Sequence, residues 1–254
     1  MPKFFITEHE LEIGGKANIS GEDANHLRKS LRIKNGEIII VCDGNGKDYN
    51  AMVESSEDDS IKITILESIE LKTEPDLWIN IYAAVTKGEG FEYAIQKCVE
   101  AGVGSVIPVI TERTVVAVSD SKAVRKHERW NKIASEAAKQ SGRSRIPQVG
   151  GVLDFYAAMD KASQEGLSII CNVEEGTLSL KTILGMNKDI KMLNVFIGPE
   201  GGFTSAEIKA ATGRGIHSVT LGNRVLKAET AGLFVMAAAM YEYGELDKKG
   251  SKSQ

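Results

Sequence analysis

Residues 194–208 read NVFIGPEGGFTSAEI, and the fold turns on how this stretch is read. Val195, Phe196 and Ile197 form an apolar run with strand character. Gly198, Pro199, Glu200, Gly201 and Gly202 follow as a turn. Thr204, with Glu207 three residues later, has the form of a capping box at a helix start. Strand, glycine turn and helix together bring a backbone close to a ligand. The glycines remove the Cβ barrier to close approach, and the first N–H groups of the helix are free donors. A carboxylate inside the turn, Glu200, argues against a phosphate cradle because it repels an anion. It suits a ligand with hydroxyls, amino groups or positive charge.

A second run, HSVTLGNRVLKAETA at 217–231, repeats the pattern. A short strand leads through Gly222, Asn223 and Arg224 into an apolar helix that ends near Tyr243. Two such turns at the C-terminal ends of two strands line one crevice in an open α/β sheet. Upstream, strand patterns at 77–85, 105–110, 167–173 and 192–197 alternate with helical patterns. Phe91, Ile95, Cys98 and Val99 recur at helical spacing. Residues 120–141 form a longer helix with Trp130, Ile133, Ala134, Ala137 and Ala138 facing inward, and a short helix covers 178–184. The fold class is therefore α/β, a mostly parallel sheet with helices on both faces. Residues 1–72 differ. Runs at 37–42, 49–54 and 61–66, a turn at Asp43-Gly-Asn-Gly46 and a short helix at 26–31 predict a small antiparallel barrel. The domains are then 1–72 and 73–254, with a linker at 67–76 and a polar tail from 247. No pattern is assigned to 148–166.

Composition sets bounds. Of 254 residues, 42% are hydrophobic and 26% charged, ordinary for a soluble protein. No stretch approaches the ~20 apolar residues that span a bilayer, and no signal peptide is read at the N-terminus. Cys42, Cys98 and Cys171 lie far apart without metal spacing, which points to reduced thiols and a cytoplasmic protein. The four histidines share no metal spacing either, so no metal site is expected. The net charge of −4 is not that of a typical nucleic-acid binder, but charge is local: 121–145 carries a net +6, and Arg28, Lys29, Arg32 and Lys34 form a second cluster.

Each candidate has a plain structural alternative. Glu200 can serve only as a favourable charge at a helix N-terminus. Arg224 can pair with Glu229, and Glu229 and Thr230 can simply begin a helix. Arg143 and Arg145, following Ser141-Gly142, can cap a helix or clamp a phosphate. Trp130 reads as core, and His26 stands beside Arg28 and Arg32. Lys87-Gly-Glu-Gly90 after a strand has the start of a dinucleotide loop but lacks its third glycine. No P-loop is present.

GPEGGFT at 198–204 and LGNRVLKAETA at 221–231 resemble the ribosomal RNA small subunit methyltransferase E family, the 16S rRNA uridine N3-methyltransferases of the SPOUT superfamily. MPKFFI at 1–6, HLRKSLRIKNGE at 26–37, VTKGEGFEYAIQKCVEAGV at 85–103, TER at 111–113 and RWNKIASEAAKQSGRSRIP at 129–147 resemble it too. Lys3 and Lys227 stand where that family commonly has arginine, which keeps charge but loses the bidentate fork.

The resemblance implies an N-terminal PUA-like RNA-binding domain and a trefoil-knotted C-terminal domain that binds S-adenosylmethionine. It implies a cofactor site at Val173, Glu174, Ile197, Gly198, Glu200, Gly201, Gly202, Leu221, Gly222, Val225, Leu226 and Thr230. RNA contacts would come from Lys3, His26, Arg28, Arg32, Lys87, Arg143 and Arg145, with Arg224 as the catalytic candidate. The partners it implies are 16S rRNA in the 30S subunit and a second copy of the chain, joined through the knot region. Two other functions remain open: ribose 2′-O-methylation, and a non-catalytic RNA-binding factor in ribosome assembly.

Overall fold

The computed structural model describes residues 3–6, 10–57, 60–115, 120–173 and 177–247. The chain divides into two units, 1–74 with 138–146, and 75–137 with 147–254.

The first unit is a five-stranded sheet: β1 (Lys3–Phe5), β2 (Lys16–Ser20), β3 (Ile38–Cys42), β4 (Asp48–Ser56) and β5 (Ser60–Ile69), in the order β1-β3-β4-β5-β2. Three pairs are antiparallel, as the alternating runs predict. The outer pair, β1 with β3, is parallel, because Lys3 enters alongside Ile40 from the chain terminus rather than from a hairpin. Strands β1 and β2 are short and were not legible as strands. Inward-facing Ile19, Val41, Val53, Ile61, Ile63 and Ile65 fill the core with Phe4 and Leu27. Each fully buried side chain of this size contributes roughly 1.5–3 kcal/mol. The expected helix at 26–31 is a helical turn α1 (Gly21–Asn25) running into a π-helical segment, His26–Ser30.

The return of 138–146 to this unit is held by a buried polar network. Lys3 Nζ lies 2.9 Å from Asp48 and donates to Ser144 Oγ at 2.8 Å. Ser144 Oγ also donates to Asp48 and contacts Thr73 Oγ1. Arg143 Nη2 donates to Glu74 at 2.5 Å, and Glu74 also accepts from the backbone N–H groups of Ser144 and Arg145.

The second unit holds a sheet whose strand pairs are all parallel: β6 (Trp78–Ala84), β7 (Ser105–Ile110), β8 (Gln148–Val149), β9 (Leu153–Asp154), β10 (Leu167–Cys171), β11 (Leu178–Ser179), β12 (Met192–Ile197) and β13 (His217–Thr220). The order is β11-β13-β10-β12-β6-β7-β8, with β9 also on β7. The helices are α2 (Gly90–Glu100), α3 (Asp120–Gln140), α4 (Phe155–Ala162), α5 (Leu180–Met186), α6 (Ser205–Thr212) and α7 (Ala228–Glu242). Trp130 on α3 is buried against Phe91 on α2, with ring centroids 4.7 Å apart, so it is core. The stretch that sequence left blank holds β8, β9 and α4, whose start is fixed by Asp154 accepting from the N–H groups of Tyr156 and Ala157.

Register places a polar row across the N-terminal end of this sheet. Ser168, Asn194, Asn80 and Ser105 are neighbours on β10, β12, β6 and β7. Asn194, 1% exposed, donates to the carbonyls of Ala162 and Glu165 and accepts from Asn80 at 2.9 Å. Ser105 and the Trp78 indole donate to Asn80 Oδ1. Every polar atom there has a partner, as burial demands.

Candidate functional site

The C-terminal ends of the same strands open into a cavity of about 520 Å³ in the second unit. Both glycine turns border it. Gly198–Gly202 leaves β12 and Leu221–Lys227 leaves β13, while Thr86, Lys87 and Gly90 come from the end of β6, and Cys171, Asn172 and Val173 from the end of β10. The start of α7 supplies Ala228, Glu229 and Ala231. A volume of this size is in the range of small-molecule sites.

The first turn is rigid for identifiable reasons. Thr204 caps α6 with the full capping box, Thr204 Oγ1 accepting from Glu207 N and Glu207 accepting from Thr204 N. Glu207 is only 3% exposed, and its other oxygen accepts from Glu112 N. Arg113 Nη1 donates to Gly201 O at 2.6 Å, so the TER segment after β7 clasps the turn from outside. Gly202 has φ +67°, a conformation other residues rarely adopt. A Cβ on Gly198 would stand 3.1 Å from the Phe203 ring, so a side chain there would press on that ring.

Of the expected cofactor residues, Val173, Ile197, Gly198, Glu200, Gly201, Gly202, Leu221, Gly222, Val225 and Leu226 all line this cavity. Thr230 does not: it is exposed in the first turn of α7, between Glu229 and Ala231, which do line the cavity. Glu174 lies outside the described residues. Arg224 is exposed on the cavity edge and is in no ion pair among the described residues. The cation beside Glu229 is Lys227, at 3.9 Å. Sequence reasoning missed Thr86, Asn172, Cys171 and Lys227 as cavity residues. Their common signal is position, each directly at or after a strand end or next to the second glycine turn.

The residues expected to touch RNA fall into three groups. His26, Arg28 and Arg32 sit together on the first unit, His26 and Arg32 exposed. Arg28 donates to Glu57 O and Asn25, and Arg32 holds a left-handed φ of 52°, uncommon for a side chain of its size. Lys87 is exposed at the cavity in the second unit. Lys3 and Arg143 differ from the expectation: both are buried, with their charges engaged by Asp48 and Glu74 inside the first unit. Arg145 is half-buried beside Asn45, with its N–H on Glu74. The network that fixes 138–146 uses Arg143, which local charge counting offers to phosphate, and Lys3, which the resemblance offers to RNA. His9, the side chain of Lys122 and the tail from 248 lie outside the described residues.

Burial pushes the thiols of Cys42, Cys98 and Cys171 up to about 12, so all three are protonated at neutral pH. They are free cysteines. Among the described residues no cluster could hold a metal ion, and no helix is long and apolar enough to cross a membrane.

The geometry has counterparts in known proteins. A family model described as RNA methyltransferase domain matches residues 73–240, and one described as RNA methyltransferase PUA domain matches 19–66. The ribosomal RNA small subunit methyltransferase E of Bacillus subtilis is 32% identical over 95% of this chain and 97% of its own length. That of Synechocystis is 33% identical over 91% of this chain and 75% of its own. Among solved structures, a ribosomal RNA small subunit methyltransferase E from Neisseria gonorrhoeae bound to S-adenosyl methionine superposes with a TM-score of 0.86 at 31% identity, covering 97% of this chain and 100% of the other. A putative methyltransferase from Legionella pneumophila in complex with the cofactor SAM gives 0.83 at 28% identity, covering 94% and 96%.

Proposed function

Because the chain belongs to the ribosomal RNA small subunit methyltransferase E family, we propose that it transfers a methyl group from S-adenosylmethionine to N3 of one uridine in the 16S rRNA of the 30S subunit. The observation that carries this reading is the cavity itself, built from two glycine turns at the C-terminal strand ends with Arg224 on its edge. The residues present fit the cofactor. Ile197, Leu221, Val225 and Leu226 supply apolar walls for a flat base, the glycine turns give backbone access, and Glu200 supplies an acceptor for hydroxyl or ammonium groups. S-adenosylmethionine, when bound, supplies an electrophilic methyl group on a sulfonium. The protein's part is to orient the two reactants and to stabilise charge on the base.

N3 lies on the Watson–Crick edge, so the uridine must be unpaired or flipped to reach the cavity. In this reading Arg224 stabilises the negative charge that develops on the uracil as its N3 proton leaves. Residues 1–72 form the RNA-binding domain in this reading, with His26, Arg28 and Arg32 on its surface, and 73–254 the methyltransferase domain, with Lys87 at the mouth of its cavity. A second copy of the chain covers α7. That helix is apolar on all sides, and it leaves Thr230, Phe234, Ala237 and Tyr241 exposed at helical spacing on one stripe. In this reading the C-terminal chain is threaded as a trefoil knot.

Isothermal titration with S-adenosylmethionine, then nucleoside mass spectrometry of treated 30S subunits, tests the reading. The expected product is 3-methyluridine. A 2′-O-methylated nucleoside would move the assignment to ribose chemistry, and cofactor binding without any product would leave a non-catalytic assembly factor.

A further inference from the structure

The Lys87-Gly-Glu-Gly90 loop and one buried hydroxyl are not explained by cofactor binding. Thr86 Oγ1 is buried, lines the cavity and has no hydrogen-bond partner among the described residues. In the second unit that makes it a contrast to the polar row at the other sheet end, where every group is satisfied. A buried hydroxyl left unmatched costs about 1–3 kcal/mol, so it calls for a partner that arrives from outside the chain.

Gly90 shows what borders that hydroxyl. A Cβ there would stand 3.0 Å from Thr86 Oγ1 and 3.6 Å from Glu229 Oε2. The absence of a side chain at Gly90 therefore keeps open a small gap bordered by a hydroxyl and a carboxylate. The gap lies at the end of β6, whereas the two glycine turns leave β12 and β13. With the cofactor assigned to the turns, the β6 end of the same cavity is left for the methyl acceptor in the reading that follows.

Resting on the N3-methyltransferase reading, we propose that Thr86 and Glu229 read the N3–H and adjacent carbonyl edge of the target uracil, with Glu229 as the acceptor of the N3 proton. An ionised carboxylate only accepts hydrogen bonds, and a hydroxyl donates as readily as it accepts. Uracil presents N3–H beside a carbonyl oxygen, the matching donor and acceptor. The N3–H bond breaks and its proton passes to a Glu229 oxygen. The electron pair left on N3 forms the new N–C bond to the methyl group, and the pair of the broken C–S bond stays on sulfur. Glu229, with 24% of its side chain exposed, then returns the proton to solvent. Thr86 Oγ1 donates to the carbonyl oxygen on which negative charge gathers.

Among the described residues, the other charged groups around Glu229 are Lys227 at 3.9 Å and, lining the same cavity, Lys87, Glu200 and Arg224. On α2, packed along α7, Glu92 is tied to Arg129 and Lys97 to Glu100, and Glu89 is exposed at the helix start. Strands β6 and β12 bring no charge to α7, and α5 brings exposed Lys181.

The test uses the full chain with 30S subunits under single-turnover conditions. Glu229→Gln should slow 3-methyluridine formation by about 10²-fold or more, and its residual rate should climb with a log–log slope of about one as pH rises, because N3 must then ionise unaided. S-adenosylmethionine affinity should stay within about twofold, well under the tenfold that a full 1.4 kcal/mol would produce. Thr86→Val should slow the reaction less and Thr86→Ser should restore it. Gly90→Ala, which fills the gap without removing either polar group, should slow it too. A readout without turnover uses S-adenosylhomocysteine-bound protein and an RNA fragment carrying the mapped uridine: wild type should prefer uridine over cytidine there, and Glu229→Gln should lose the preference because its amide can donate to cytidine N3. A wild-type rate in Glu229→Gln overturns the proposal. Cofactor affinity that falls in step with rate also overturns it, and assigns the pair to the cofactor's ammonium. A wild-type protein that forms no 3-methyluridine at all overturns the functional reading itself.

Discussion

The two ends of the parallel sheet share their strands and treat polar groups in opposite ways. At the N-terminal end, Ser168, Asn194, Asn80 and Ser105 satisfy one another and the carbonyls of Ala162 and Glu165. At the C-terminal end, the strands β6, β10, β12 and β13 run out just before Thr86, Asn172, Gly198 and Leu221 around a cavity, with a buried hydroxyl unmatched and a cation, Arg224, outside any ion pair among the described residues. A closed network stabilises the fold, and an open one is available to a ligand. The two ends should therefore respond to substitution in different currencies, one in stability and the other in rate.

The largest effect is expected at the open end. Arg224→Ala should lower single-turnover methylation by about 10²–10³-fold, the loss of one preorganised electrostatic donor, and leave the melting temperature within about 1–2 °C, since an exposed side chain outside any network costs less than about 0.5 kcal/mol. Arg224→Lys should restore part of the rate, because charge returns without the fork. If Arg224→Ala lowers stability as much as rate, the contrast between the ends fails there.

At the closed end the same logic runs the other way. Asn194→Leu keeps the branched shape, with a larger volume, but strands Asn80 Nδ2 and the Glu165 carbonyl, while Ala162 O keeps Ser168 Oγ as its donor. A stability loss of about 3 kcal/mol is expected from unmatched buried groups, a fall in Tm of roughly 6–12 °C for a unit of this size. Methylation by the folded fraction, measured well below the transition, should change by less than about threefold, within the coupling expected of distant sites. A rate loss of the Arg224 kind would show that the closed end also serves the site.

The open end was the more legible in sequence, and for a physical reason. Glycine turns, a capping box and apolar runs are local signals, so residues 194–208 announced β12, the turn and α6 as they stand. Satisfaction is not local. Asn194 and Asn80 lie 114 residues apart and become neighbours only through register. The same limit explains Arg143 and Lys3, whose partners Glu74 and Asp48 are 69 and 45 positions away: charge counting left Arg143 available to phosphate, and the resemblance did the same for Lys3. Thr86 was passed over because threonine after a strand carries no motif; its unmatched hydroxyl exists only in three dimensions. The β1–β3 pair escaped notice because a three-residue strand has too few positions to show alternation.

The smallest effect separates two thiols that stand on opposite sides of the same contrast. Burial raises both Cys98 and Cys171 to about 12, against 9.0 for a free thiol. A folded-state value above the unfolded one means that the neutral thiol favours the native state. That contribution is complete below pH 9 and is lost as pH rises from about 9 towards 12, by up to about 1.4 kcal/mol per pH unit for each thiol. Cys98 is 1% exposed, and a Cβ on Gly232 of α7 would stand 3.2 Å from its sulfur, so water does not reach it. Cys171 is half-buried in the cavity wall, where water can solvate a thiolate, and its real elevation should be the smaller of the two. Thermal melts between pH 8 and 11 should then show a downward slope in wild type that Cys98→Ala flattens more than Cys171→Ala does. Saturating S-adenosylmethionine, by excluding water from the cavity, should steepen the share due to Cys171 and leave that of Cys98 alone. Equal flattening by both substitutions, with no effect of the cofactor, would mean that the wall around Cys171 is as closed as the core.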